Sequence, residues 1–342
     1  MITDRNISDN AQIALHKIAG AGGFPQKANT HVYYVDGDNG ADQDTGRSPD
    51  HAFATIQQAV TKANSGSTIY VFPRKHTDYT GDPVNYAETI IIPYTHSNLS
   101  IIGVCTGRTQ GGLPQIKKGS GSTALLTIRA PGCLIANMGF NGYGSTGGGI
   151  LLDDDYAAKS AFGTTIRNCH IKNCVGSTAT DSRTGGGIMW TTAGNAWQVD
   201  IIGNKFYKNV GDIVLMGTTN TRPQDILIQG NIFQSSPTSS TDCNIYGASG
   251  GFQSIVIDSN IFGDLPALGA GSVVRYMDLT GTQEGMVTRN MFGCLTSQGS
   301  TELTFEAAGT GAKIPTTVFM AGNFGQFETG VGAGLVSGEI YA

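Results

Sequence analysis

Three consecutive acids, Asp153, Asp154 and Asp155, form the densest carboxylate cluster in the chain. Hydrolysis of a glycosidic bond needs two carboxyl groups about 5–10 Å apart, one to protonate the leaving oxygen and one to serve as base or nucleophile. Asp181 and Asp212 are the acids that neighbouring segments would bring beside the triplet. The competing reading is a solvated acidic turn, and it is the stronger one, because the sequence fixes no second acid in register. For an elimination, Lys172, Arg167 and Arg183 are available bases, but no motif ties them to an acidic metal site.

Oxygen ligands for calcium are densest between Asp36 and Asp44. Asp36, Asp38, Asp42 and Asp44 follow the opening spacing of a calcium loop, yet Arg47 stands where the closing bidentate Glu belongs. An Asx-turn loop without metal is the stronger reading, so no metal or cofactor is expected and calcium is the lesser possibility. Cys169, His170 and Cys174 raise zinc, but a structural site wants four ligands and strand alternation sends residues 169 and 170 to opposite faces. Trp190 and Trp197, with Tyr207 and Tyr246, are candidate stacking surfaces for a glycan, or else packing residues.

The elements that would position these groups follow from one repeated phrase. An apolar strand, an Asn and an apolar or aromatic residue recur at LIANMGF (134–140), TIRNCHI (165–171), IIGNKF (201–206), ILIQGNIF (226–233), IVIDSNIF (255–262), MVTRNMF (286–292) and FMAGNF (319–324). The phrases lie roughly 30 residues apart, a period of stacked β coils when the content is strand. Aligning Asn137, Asn168, Asn204, Asn231, Asn260, Asn290 and Asn323 predicts an asparagine ladder at one corner of the stack. The expected fold is all-β: a single right-handed parallel β-helix over 31–324.

Composition agrees. Glycine makes up 49 of 342 residues and charged residues only 14%, as expected for tight turns joining buried strands. The net charge of −5 and the lack of a basic stripe argue against a nucleic-acid partner. No apolar run approaches the ~20 residues of a membrane span, and the first twenty residues lack a secretory apolar core. The six cysteines are read as reduced, mostly buried thiols.

The ends differ from the repeat. Residues 53–64 carry one apolar helical face (Phe53, Ile56, Ala59, Val60, Ala63), and a helix there would cap the open end of the β-helix. Ser48-Pro49 reads as its start signal and Asn64-Ser65-Gly66 as its stop. Residues 1–30 form an arm with a short apolar stripe, Ile13, Leu15 and Ile18, read as an attachment segment, and 325–342 form a glycine-rich tail.

The block YYVDGDNGADQDTGRSPDHAFATIQQAV…GSTIYVFP resembles the entry segment of pectate-lyase-like right-handed β-helix proteins, and the GN-apolar-F phrase is similar to that superfamily's coils. The chain has no Gly-His-Gly or Arg-Ile-Lys segment of the kind its polygalacturonase-like hydrolases carry. The resemblance is greatest to the superfamily's bacteriophage particle components. It implies a structural virion protein, made in a host cytoplasm: a capsid decoration, cement or spike protein that is a homotrimer and docks on capsid or tail proteins. A tailspike-type lyase or glycoside hydrolase acting on host surface polysaccharide is the alternative, and a non-catalytic glycan-binding module the second. Calcium is the one cofactor with a candidate site.

Overall fold

A computed structural model describes residues 31–75, 84–105, 112–117, 124–142, 148–156, 159–174, 186–191, 196–217, 222–236, 243–247, 252–263, 275–294, 305–306, 312–328 and 331–335. The arm stripe of Ile13, Leu15 and Ile18 lies outside them.

The chain winds as a right-handed parallel β-helix with three long sheets. Sheet A has ten strands, starting with Val32–Val35 and Thr68–Val71 and ending with Val318–Ala321. Sheet B, with nine, runs from Gln115–Ile116 to Phe324–Glu328 and Val331–Leu335. Sheet C, also nine-stranded, begins at Ile90–Ile92. Each coil passes from A to B to C, so every strand pairs in parallel with its equivalent one coil away, as Thr165–Arg167 does with Leu134–Ala136 on one side and Asp200–Ile202 on the other.

Alternation then decides what is inside. On sheet A, Ile101, Ile135, Ile166, Ile201, Ile228, Ile257, Val287 and Met320 point inward and are buried. On sheet B the inward row ends in a stack of rings, Phe206, Phe233, Phe262 and Phe292, with successive centroids 5.0, 4.6 and 4.9 Å apart. Identical side chains can stack this way because in-register parallel coils repeat at about the strand spacing of 4.8 Å. Entry to sheet C is crowded: a Cβ on Gly149 would lie 2.4 Å from Gly187 O, so glycine is required where two coils touch.

The predicted asparagine ladder exists, but in a shorter form. Asn231 gives its backbone N–H (2.9 Å) and its Nδ2 (3.0 Å) to Asn260 Oδ1, while the same Nδ2 reaches Ile201 O (2.8 Å). Asn204, Asn260 and Asn290 each bond the next asparagine in the same way, and Asn323 closes the series. Asn137 and Asn168 are not rungs. They occupy the left-handed position one residue earlier, with φ of 57° and 54°, where later coils have Gly203, Gly230, Ser259, Arg289 and Gly322. Asparagine suits both slots, one through its tolerance of left-handed backbone and the other through its amide. The inward rung beside Asn168 is Cys169, whose N–H donates to Asn204 Oδ1 at 2.9 Å.

The capping helix is shorter than the predicted 53–64 and spans Ile56–Lys62. Ser48 makes no side-chain cap, and Pro49–His51 is a separate 3-10 turn. Thr55 is the true N-cap, with Oγ1 accepting from Gln58 N–H, and the Glu88 carboxylate accepts from Ile56 N–H (2.9 Å) and Gln57 N–H (2.8 Å). Its buried face of Ile56, Ala59 and Val60 joins the core. At the far end, Val331–Leu335 folds back antiparallel on Phe324–Glu328, so strand continues into the segment read as tail.

Candidate functional site

Of the acid cluster, the structure describes the side-chain surroundings of Asp153 and of the neighbouring candidate Asp212. Asp153 follows the sheet C strand Ile150–Leu152 and is held by Arg129 Nε (3.0 Å) and Thr191 Oγ1 (3.2 Å). Asp154 and Asp155 sit on the strand Asp154–Tyr156, which pairs antiparallel with Lys159–Ser160 outside the three sheets. Asp212 is wholly buried: Oδ1 accepts from Asn209 Nδ2 and Oδ2 from Asn244 Nδ2, both at 2.8 Å. Burial pushes its pKa up to about 7, against the pull of the bonds from Asn244, Asn209 and Ser236. Such a carboxyl is sealed from any polymeric substrate. Asp181 and Arg183 lie outside the described residues.

In the entry loop the carboxylates are engaged by the chain itself, as an Asx-turn loop would have them. Asp36 accepts from Asp38 N–H and Asn39 N–H. Asp38 accepts from Arg74 Nε (2.9 Å) and Lys75 N–H (2.7 Å). Asp42 accepts from Ala54 N–H, Thr55 N–H and Thr55 Oγ1. Asp36 therefore folds the loop on itself, Asp38 ties it to Arg74 and Lys75 beyond the strand, and Asp42 ties it to the helix start; Asp44 N–H donates to Ala41 O. Among the described residues no group of three His, Cys, Asp or Glu could hold a metal. Cys169 and Cys174 are buried thiols whose pKa desolvation pushes up to about 12, which disfavours the thiolate zinc would need.

The glycan ledge is likewise corrected. Trp190 is 2% exposed and its Nε1–H donates to Ala196 O at 2.9 Å, so its ring fills the core behind sheet C. Trp197 is half-buried and stacked on Phe162 at 5.4 Å, and of the predicted pair it alone keeps an accessible ring. Alternation in a three-residue strand could not be phased from sequence, and the inward phase took Trp190.

Two features of the outer face of sheet B were missed. On the early coils, polar side chains that point away from the core are nevertheless buried: Gln115, Asn141, His170 and Lys172, the last only 1% exposed. On the late coils the same face is apolar and open. Ile261, Met291 and Phe324 are 45, 58 and 55% exposed in one row, preceded by half-buried Ile232. Across the asparagine corner, sheet A carries a matching row, Leu227, Val256, Met286 and Phe319. The signal for the apolar rows was present in the last four phrases, which carry an apolar residue at the outward position on either side of the Asn: Leu227 and Ile232, Val256 and Ile261, Met286 and Met291, Phe319 and Phe324.

Between these rows runs a polar strip. Asp258, almost fully buried, binds Arg289 through two hydrogen bonds and also accepts from Gln229, Thr288 and Ser259. On the late coils the outer faces of sheets A and B thus present an open apolar surface on either side of this strip.

No protein-family model matches the chain, and no curated protein matches its sequence. Among solved structures, an alginate lyase from Paenibacillus sp. str. FPU-7 matches at 15% identity and TM-score 0.46, over 78% of this chain and 91% of that one. A GH136 lacto-N-biosidase from Eubacterium ramulus matches at 9% identity and TM-score 0.33, over 85% and 68%. A rhamnogalacturonan lyase matches at 11% identity and TM-score 0.29, over 86% and 87%. At these values the likeness concerns the course of the chain and says nothing of its chemistry.

Proposed function

We propose that this chain is a structural component of a bacteriophage particle, a β-helical decoration, cement or spike protein attached through residues 1–30 to capsid or tail proteins. The observation that carries the reading is the pair of open apolar rows on the late coils. Water-exposed rows of Ile, Met and Phe on a rigid rod are costly unless another surface covers them. Of the candidate acids, Asp153 is bound to Arg129 and Asp212 is sealed in the core. The rod would act through stiffness and binding area, and a homotrimer is its expected working form.

The test is particle attachment. Protein lacking residues 1–30 should keep the β-sheet signature and melting curve of the full chain but fail to co-sediment with particles that bind the full chain. Undiminished co-sedimentation overturns the anchor.

A second reading, a polysaccharide lyase, rests on His170 and Lys172 lying together beside Asn141 on the outer face of sheet B, and it requires substrate to uncover both buried groups. Elimination needs one group to remove a proton from a sugar carbon and one to protonate the leaving oxygen, and an imidazole and an amine can share those tasks. Ultraviolet absorbance of unsaturated products after incubation with alginate or pectate is the measurement; its appearance, and its loss in Lys172→Ala, would replace the structural reading.

A further inference from the structure

The two apolar rows belong to longer rows whose order can be read rung by rung. On the outer face of sheet A, strand pairing aligns Leu134, Thr165, Asp200, Leu227, Val256, Met286 and Phe319. On sheet B it aligns Gly139, His170, Lys205, Ile232, Ile261, Met291 and Phe324. Each B residue follows its A counterpart by one passage round the corner, so the two rows climb the rod in step. Charge enters each row once on an accessible rung, and it is the same rung: Asp200 on sheet A and Lys205 on sheet B, both half-buried. Among the described residues neither forms an ion pair within the chain.

We infer that copies of this chain associate side by side with parallel axes, the sheet A row of one copy against the sheet B row of the next, with Asp200 of one facing Lys205 of the other.

Period and charge pick this partner. A surface that fills four apolar steps repeating at ~4.8 Å must itself repeat at that spacing, which a parallel β-helix does and an ordinary globular surface does not. Of the ways to pair two copies, sheet A on sheet A in parallel sets Asp200 against Asp200, and sheet B on sheet B sets Lys205 against Lys205; like charges juxtaposed oppose association. Antiparallel pairing sets the charged rung against apolar rungs. Only the A-on-B parallel arrangement brings apolar steps onto apolar steps and opposite charges together. A contact between different faces with parallel axes is heterologous, and rotation about an axis parallel to the rods closes it into a ring. The inference deepens the structural reading of the chain by naming its nearest partner as itself.

The experiment uses the full chain. Light scattering coupled to size exclusion should give a closed oligomer. Asp200→Lys and Lys205→Asp should each raise the concentration for half-assembly about tenfold or more, and the double variant should recover to within about threefold of the original. Melting curves recorded on the same samples check folding, and both residues are accessible enough for the variants to fold. A mixture of Leu227→Cys and Ile232→Cys proteins should form a disulfide-linked dimer under oxidant, while neither alone does. A monomer at all concentrations, an oligomer indifferent to both charge inversions, or linkage within Leu227→Cys alone overturns the inference. Because these readouts need no particle, their failure is distinct from loss of attachment on removing residues 1–30.

Discussion

Arg289 reaches across one coil to grip Asp258 with two parallel hydrogen bonds, Nε to Oδ1 at 2.8 Å and Nη2 to Oδ2 at 2.7 Å. Arg289 holds the left-handed corner slot that glycine fills at Gly203, Gly230 and Gly322, with φ of 55°. The guanidinium, and the bonds from Gln229, Thr288 and Ser259, keep the Asp258 carboxyl well below the usual carboxylate range despite its burial. A depressed acid stabilises the fold above its unfolded pKa of ~4, and that contribution is lost as pH falls below it. Arg289→Ala should therefore melt a few degrees below the parent at pH 7, with the two curves converging under acid. A constant difference down to low pH would show that the strained corner, not the ion pair, dominates.

Asp212 carries the opposite pH signature. Its pKa is raised to about 7 by burial, so between pH ~4 and ~7 the folded state binds the proton that the unfolded state has released. Stability from this group is complete below pH ~4 and declines as pH rises through the folded value, by on the order of a few kcal/mol. Melting temperatures of Asp212→Asn across pH 4.5–8 (about the window named) should lack this decline, and an unchanged slope would assign the dependence elsewhere.

The asparagines separate into two classes by energy. Asn260→Ala removes the acceptor for two buried donors of Asn231 and the donor to Asn290 and Ile228 O, although its own backbone N–H to Asn290 Oδ1 persists. Loss of these buried partners should cost roughly 2–4 kcal/mol in denaturant unfolding. Asn137→Gly keeps the left-handed slot that glycine prefers and gives up one long bond to Gly103 O; its cost should stay within about 1 kcal/mol.

Asp42 should behave as a structural carboxylate. Asp42→Ala strips the acceptor from Ala54 N–H, Thr55 N–H and Thr55 Oγ1 at the helix start and should destabilise by about 1–3 kcal/mol. Chelator should leave the melting temperature of the parent unchanged. A drop with chelator that calcium reverses would restore the metal reading.

The fold was legible because its signal is repeated: seven phrases, each with an apolar strand and an Asn, average out local ambiguity. Details that depend on a shift of one residue were not. Asn168 and Cys169 exchange roles relative to the alignment because either residue of the corner can be asparagine. Trp190 was misplaced for the same reason, since a single step along a strand moves a side chain from the solvent to the core. The Asp36 to Asp44 loop misled differently. Its composition suits a cation, but the amides at Ala54, Thr55 and Lys75 that claim its oxygens come from distant sequence and meet it only in the fold.

The asparagine corner also makes the rod a ruler. Each rung donates to the rung above through the same amide and backbone atoms, so the join between any two of these coils is chemically the same. Adding or removing one whole coil would leave every surviving corner with its partners, whereas a fractional change would break one. Length can thus change in discrete steps of ~4.8 Å, and selection can lengthen or shorten such a protein without rebuilding its interior.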